Sequence, residues 1–198
     1  MNKIAILDMG LNNIKSIFNL SNKISDTYVF SKIENFKNGT KMLILPGNGN
    51  FAKGMEFLNE NNFTKFIKDL SQDINLLGIC LGMQLLMDSS EEASNVKGLS
   101  LISGNVVKIK ENKDYNNPLL GWYDIKFDFR NDYEKFDGSY FFNNNFIIDP
   151  VKKEYIYGYL DYMPVFIIKE KIYGIQFHPE LSRNLGLTFV RKIFESLK

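Results

Sequence analysis

Leu76-Leu77-Gly78-Ile79-Cys80-Leu81-Gly82-Met83-Gln84-Leu85-Leu86 runs from strand-forming residues into helix-forming ones, with two glycines bracketing one cysteine. The apolar run 76–79 predicts a buried strand, and Met83–Met87 predicts a helix beginning directly after it. Gly-x-Cys-x-Gly has the form of a nucleophile elbow, the sharp turn that lifts a reactive side chain off the end of a strand. Gly78 and Gly82 leave space for that turn, let strand and helix approach closely, and push the Cys80 backbone into a strained conformation. A strand that passes straight into a helix is the building unit of a parallel sheet covered on both faces.

Outward from this stretch the first half repeats the alternation. Strands are expected at Ile4–Leu7, Thr27–Phe30 and Met42–Leu45. Ile14, Ile17 and Phe18 recur at helical spacing, and Phe51, Met55, Leu58, Phe63, Phe66 and Ile67 predict one or two amphipathic helices before Leu70. The second half changes character: Val106–Ile109, Tyr123–Phe127, Tyr140–Phe142, Ile156–Tyr159, Val165–Ile168 and Tyr173–Phe177 are successive strand candidates punctuated by Asn, Asp and Gly. A helix from about Leu185 to Leu197 closes the chain. The expected fold is α/β, a mostly parallel central sheet flanked by helices with an antiparallel extension, in one domain spanning 1–198.

Composition narrows the functional classes. The 198 residues carry a net charge of +1, so no nucleic-acid or anionic-membrane partner is indicated. One cysteine rules out an intrachain disulfide framework and fits a reducing compartment. The opening apolar run ends at Asp8, too short for a signal-peptide core, and no later run approaches a membrane span. The expectation is a cytoplasmic protein with neither metal nor cofactor.

The one cysteine and the one histidine both fall in sharp motifs, the second being Gly174-Ile175-Gln176-Phe177-His178-Pro179-Glu180. A thiol near neutral pH needs a base to become a strong nucleophile, and imidazole is the usual one. Out of context, a single cysteine after a strand is ordinarily a small core residue, and a single histidine is ordinarily structural. The elbow reverses the first reading. Pro179 biases His178 toward extended backbone, in which residues two apart share a face. Glu180 can then fix the imidazole tautomer and support its charge. Cys80, His178 and Glu180 are the candidate catalytic residues.

Leu45-Pro46-Gly47-Asn48-Gly49-Asn50-Phe51-Ala52 can be read in two ways. As a dinucleotide-binding loop it lacks the acidic residue expected at a strand end about 20 residues later. As an oxyanion site, Gly47 and Gly49 aim the Asn48 N–H into the site beside the N–H of Leu81. The second reading is preferred, and two flanking glycines make a flip of this peptide inexpensive.

Taken together these motifs resemble class I (triad-type) glutamine amidotransferases, and within them the glutaminase subunits of imidazole glycerol phosphate synthases of histidine biosynthesis. The resemblance also includes Ser89-Ser90-Glu91-Glu92, Lys97-Gly98-Leu99-Ser100-Leu101-Ile102 and Pro118-Leu119-Leu120-Gly121-Trp122. It implies that Cys80 attacks the carboxamide of L-glutamine while His178 relays the proton to departing ammonia. It places Gln84 and Glu92 at the amino-acid end of the substrate and the backbone of Asn143, Asn144 and Asn145 at its carboxylate, with Gly47 and Gly49 lining the pocket. It further implies a heterodimer with a cyclase or synthase subunit of (βα)₈ barrel type that receives the ammonia, with Asn13, Trp122 and Leu181 on the shared surface. The chain departs from the family at Leu119, Leu120, Asn143–Asn145 and Leu181, the last standing where the family has lysine. Those departures leave open a relative that feeds ammonia to a nucleotide-sugar or surface-glycan intermediate. A γ-glutamyl thiol hydrolase acting alone, and a non-enzymatic nucleotide-binding domain resting on the glycine loop, are the remaining alternatives.

Overall fold

The side chains of the early strands point alternately into two apolar clusters, and this decides the layers. A computed structural model describes residues 3–11, 14–111, 115–150 and 152–196. The first half runs β1 (Lys3–Leu7), α1 (Ile14–Ser21), β2 (Asp26–Phe30), β3 (Thr40–Leu45), α2 (Phe51–Glu60), α3 (Phe63–Leu70), β4 (Asn75–Ile79) and α4 (Leu81–Leu85). Ile4 and Ile6 of β1, with Met42 and Ile44 of β3, join one cluster with Ile17 and Leu20 of α1. Ala5, Leu7, Leu43 and Leu45 join the other with Phe51, Met55 and Leu58 of α2 and Phe63 and Ile67 of α3. Apolar residues on both faces of every strand are what a helix-covered parallel sheet requires.

The second half runs β5 (Ser89–Ser90), β6 (Gly104–Lys108), β7 (Leu119–Phe127), β8 (Gly138–Asn144), β9 (Phe146–Pro150), β10 (Ile156–Leu160), β11 (Met163–Lys169), β12 (Ile172–Ile175) and α5 (Arg183–Glu195). The main sheet has nine strands in the order β2-β1-β3-β4-β12-β11-β10-β7-β8. From β2 to β12 the pairings are parallel, and from β12 to β8 they are antiparallel. The expected parallel core with an antiparallel extension is therefore present, but the two parts share the sheet evenly. β5, β6 and β9 form a separate three-stranded sheet. Strand β9 is not among the expected strands: three asparagines precede it and Pro150 ends it, so its apolar run is too short to stand out.

The antiparallel half curls back until β8 meets the chain just beyond β12, where the His178 N–H donates to Phe141 O at 2.8 Å. Phe177 is held from beneath by aromatic packing, with Tyr140 at a ring distance of 4.3 Å and Phe189 of α5 at 5.4 Å. Phe189 also meets Phe127 of β7 at 5.0 Å, Tyr140 of β8 at 6.0 Å and Phe166 of β11 at 4.9 Å, so one α5 side chain ties the helix to three strands and the His178 segment. Among the described residues, no helix is long and apolar enough to cross a membrane.

The Phe189→Ala variant should lose about 3–5 kcal/mol of stability, because a fully buried ring leaves a cavity that its neighbours cannot close. Urea denaturation measures this, and a loss below about 1 kcal/mol would show that the ring is not the hub its contacts describe.

Candidate active site

The elbow is built from missing side chains. Cys80 has φ 51° and ψ −106°, a left-handed backbone that costs strain in any residue with a Cβ. A Cβ on Gly82 would lie 1.7 Å from Leu45 O, and one on Gly78 would lie 2.6 Å from Gly82 O and Met83 N. Only glycine at both positions lets β3, β4 and the turn meet. The helix after the cysteine begins at once but has only five residues, Leu81–Leu85, so its dipole adds little at the sulfur. The Cys80 N–H donates to Ile175 O at 2.8 Å, which joins the elbow to β12 and places His178 three residues farther along the neighbouring chain.

His178 has the expected extended backbone, with φ −98° and ψ 95°, but Glu180 reaches it by another route. Pro179–Leu181 form one turn of 3-10 helix rather than continuing the strand, and the turn brings Glu180 Oε1 to 2.8 Å from His178 Nδ1. The Ser182 hydroxyl closes the turn by donating to His178 O at 2.6 Å. Both side chains are nearly enclosed, at 5% and 7% exposure. Burial works against a charged imidazole, yet Cys80 and Glu180 more than offset it, and the His178 pKa is pushed up from 6.5 to about 10. The second ring nitrogen, Nε2, is buried with no hydrogen-bond partner among the described residues.

Two cavities meet here. One of about 220 Å³ is lined by Asn48, Gly49, Cys80, Leu81, Gln84, Glu92 and Asn143–Phe146. That volume suits a small amino acid, and its walls contain nearly all the residues expected to hold one. Gln84 is anchored by its Nε2, which donates to Phe146 O at 3.0 Å and to Gln176 Oε1 at 3.3 Å. Gln176 in turn points its Nε2 at Cys80 Sγ, 3.7 Å away, a contact the sequence motif contains without marking as part of the site. The visible sign is a polar residue between Ile175 and Phe177, fully buried in the structure. Asn144 Nδ2 also donates to Phe146 O, at 2.8 Å, while Asn143 O lies 4.0 Å from the sulfur. Glu92 spans the cavity wall, its Oε2 accepting from the Phe51 N–H at the start of α2 at 2.6 Å. The second cavity, of about 110 Å³, is lined on the other side by Ile17, Gly47, Asn48, Asn143, His178, Glu180 and Leu181.

The expected pair of oxyanion donors is not assembled. The Leu81 N–H donates to Gly47 O at 3.3 Å and is already engaged. Gly47 C=O and Asn48 N–H belong to one planar peptide and point in opposite directions, so the Asn48 donor faces away from Leu81. Gly47 has no room for a side chain, because a Cβ would lie 2.4 Å from Leu81 Cβ, whereas Gly49 has ordinary space around it. Of the residues expected at a shared surface, Trp122 is 42% exposed and Leu181 is 43% exposed, with Leu120 at 58% two positions before Trp122. Trp122 packs on Phe141 at 5.9 Å and carries the Arg183 guanidinium over its face at 4.7 Å. Asn13 lies outside the described residues.

The family model for glutamine amidotransferase class-I matches residues 5–195. The chain is 37% identical over 198 residues to the imidazole glycerol phosphate synthase subunit HisH of Bacillus cereus, covering 95% of this chain and 92% of that one. It is 34% identical over 201 residues to the subunit of the same name from Halalkalibacterium halodurans, covering 95% and 93%. Similar solved structures include a glutamine amidotransferase, with TM-score 0.78, 16% identity and coverage of 95% and 96%. PurLQS from Thermotoga maritima gives TM-score 0.72 at 16% identity, covering 100% and 99%. At such identities these two structures bear on the fold alone.

His178 is the only histidine, so its titration can be followed by NMR without assignment ambiguity. The Glu180→Gln variant should titrate below the wild-type value of about 10, since one of the groups raising it is gone. A raised folded-state pKa means that the stability supplied by the imidazolium is complete below 6.5 and is lost as pH climbs toward about 10. The stability difference between wild type and Glu180→Gln in urea should therefore be largest near pH 6, where imidazolium and carboxylate are both charged, and shrink on the way to about 10. A difference that grew with pH would contradict the ion-pair assignment.

Proposed function

We propose a specific activity from one premise, that this chain belongs to the class-I glutamine amidotransferase family. It acts as the glutaminase subunit of an imidazole glycerol phosphate synthase, hydrolysing L-glutamine to glutamate and passing ammonia to a (βα)₈ barrel subunit. The observation that carries this reading is the elbow cysteine opening on a cavity of amino-acid size beside a buried His178–Glu180 pair. Residues 1–198 are read as one amidotransferase domain.

In the proposed reaction the Cys80 sulfur, its proton held by His178, attacks the side-chain carboxamide carbon of glutamine. The tetrahedral adduct collapses as His178 returns the proton to the leaving nitrogen, releasing ammonia and a glutamyl thioester. Water, deprotonated by His178, then cleaves the carbon–sulfur bond and frees glutamate. Glu180 holds the ring and supports its positive charge throughout. Gln84 and Glu92 would grip the amino-acid end, and the backbone of Asn143–Asn145 the carboxylate. Oxyanion stabilisation needs the Gly47–Asn48 peptide to turn over, which frees the Leu81 N–H and delivers the Asn48 N–H at one stroke. Ligand or partner binding that favours the turned form would switch catalysis on.

A second reading keeps the glutaminase and changes the acceptor to a sugar intermediate. It is favoured by Leu120 and Leu181, two exposed apolar residues at positions where the chain departs from the family, Leu181 standing in place of the family's lysine. Restoration of growth to a histidine auxotroph lacking its own glutaminase subunit separates the two, because only the histidine-pathway protein restores it.

The Cys80→Ala complex should lose glutamine-dependent synthesis by at least about 10⁴-fold while keeping ammonium-dependent synthesis within about twofold. Retention of glutamine turnover would end this proposal, and so would glutaminase activity at full rate with no partner present. The Leu181→Asp variant should weaken binding of the barrel subunit at least about tenfold by calorimetry, since a charge would enter a buried contact.

A further inference from the structure

Gln176 has no part in the proposed reaction steps, yet it is fully buried and its side chain reaches the nucleophile. Its direction is dictated by its neighbours. The Phe146 carbonyl can only accept, so Gln84 turns its Nε2 toward it, at 3.0 Å. The same nitrogen has a second hydrogen, which goes to Gln176 Oε1 at 3.3 Å. With its oxygen committed to Gln84, Gln176 must present its Nε2 on the opposite side, where Cys80 Sγ lies at 3.7 Å. Reversing the amide would set two donors against each other. The backbone is equally fixed, since the Gln176 N–H donates to Val165 O at 2.9 Å and the Cys80 N–H to Ile175 O at 2.8 Å.

We infer that Gln176 is a positioning residue for Cys80, its side-chain N–H holding the sulfur in place and favouring the thiolate over the thiol. A hydrogen bond to an ionised acceptor is stronger than one to its neutral form, so a fixed donor at the sulfur selects the charged state. Gln176 moves no proton itself. Its amide gives the sulfur a donor independent of His178, which must leave its role as partner to the thiol once it hands its proton to ammonia. This inference rests on the reading of Cys80 as the nucleophile.

The test is the pH dependence of alkylation by iodoacetamide, in which the thiolate forms a carbon–sulfur bond and displaces iodide. Cys80 is the only cysteine, so the rate reports on it alone. The Gln176→Met variant keeps the side-chain length and removes the donor. Its alkylation midpoint should rise by about one pH unit, and its rate at neutral pH should fall about tenfold. A purely structural Gln176 would lower the melting temperature and leave the midpoint where it was, and a folded variant with the wild-type midpoint overturns the inference. Should Gln176→Met not fold, the unaltered protein still decides. Its Gln176 side-chain amide protons should shift in NMR as Cys80 titrates, and the shift should vanish in Cys80→Ser. An amide that does not respond overturns the inference. Alkylation requires no glutamine turnover, so failure here leaves the glutaminase proposal standing, whereas glutamine turnover by Cys80→Ala would end that proposal alone.

Discussion

The parallel ladder between β4 and β12 is the constraint on which the site depends. Ile79 pairs with Ile175, and one step farther the Cys80 N–H closes on the Ile175 carbonyl at 2.8 Å. Both strands are buried on two faces, so a slip of one residue would turn every apolar side chain to the wrong cluster. With register locked in this way, the ends of two strands far apart in sequence are fixed side by side. Cys80 turns off one end, and Gln176 and His178 leave the other. The segment beyond each strand is then free to be strained or irregular, because the ladder below it is not. The positive φ at Cys80 and the 3-10 turn at Pro179–Leu181 are two uses of that rigidity.

Much of this architecture is legible in the sequence, for a physical reason. The elbow announces itself because only glycine fits where a Cβ would meet the Leu45 carbonyl, and such a requirement leaves a visible spacing. His178 and Glu180 stand out through their motif, but the geometry joining them differs from the expectation: in place of an extended chain, a turn brings them together. Residue spacing alone cannot separate those routes, since both bring positions two apart to one side. The engaged Leu81 N–H is also out of reach, because peptide orientation leaves no trace in residue identity once glycine permits both orientations. Gln176 sits within the histidine motif with nothing to single it out, as its significance lies in a contact with a residue 96 positions away. Strand β9 is hidden among asparagines, and the small second sheet with it.

The two cavities share Asn48 and Asn143, and nothing else among their named walls. The loop carrying Asn48 is thus a partition between the side that contains Cys80, Gln84 and Glu92 and the side that contains His178, Glu180 and Leu181. A change at Asn48 alters both spaces together, since that residue lines each. The clash that excludes any side chain at Gly47 keeps this partition close against Leu81. Gly49 carries no such clash, since a Cβ there would meet Leu11 at 3.6 Å and Leu81 at 3.7 Å, ordinary contact distances.

Trp122 is the only tryptophan of the chain, and it stands half-exposed at the rim with the Arg183 guanidinium over its ring. Indole emission depends on the polarity and charge immediately around the ring. The protein therefore carries an intrinsic optical reporter at the edge of its reactive end, undiluted by any second indole in the interior. Whatever covers that edge or displaces Arg183 will change the colour and yield of the emitted light, with no label attached.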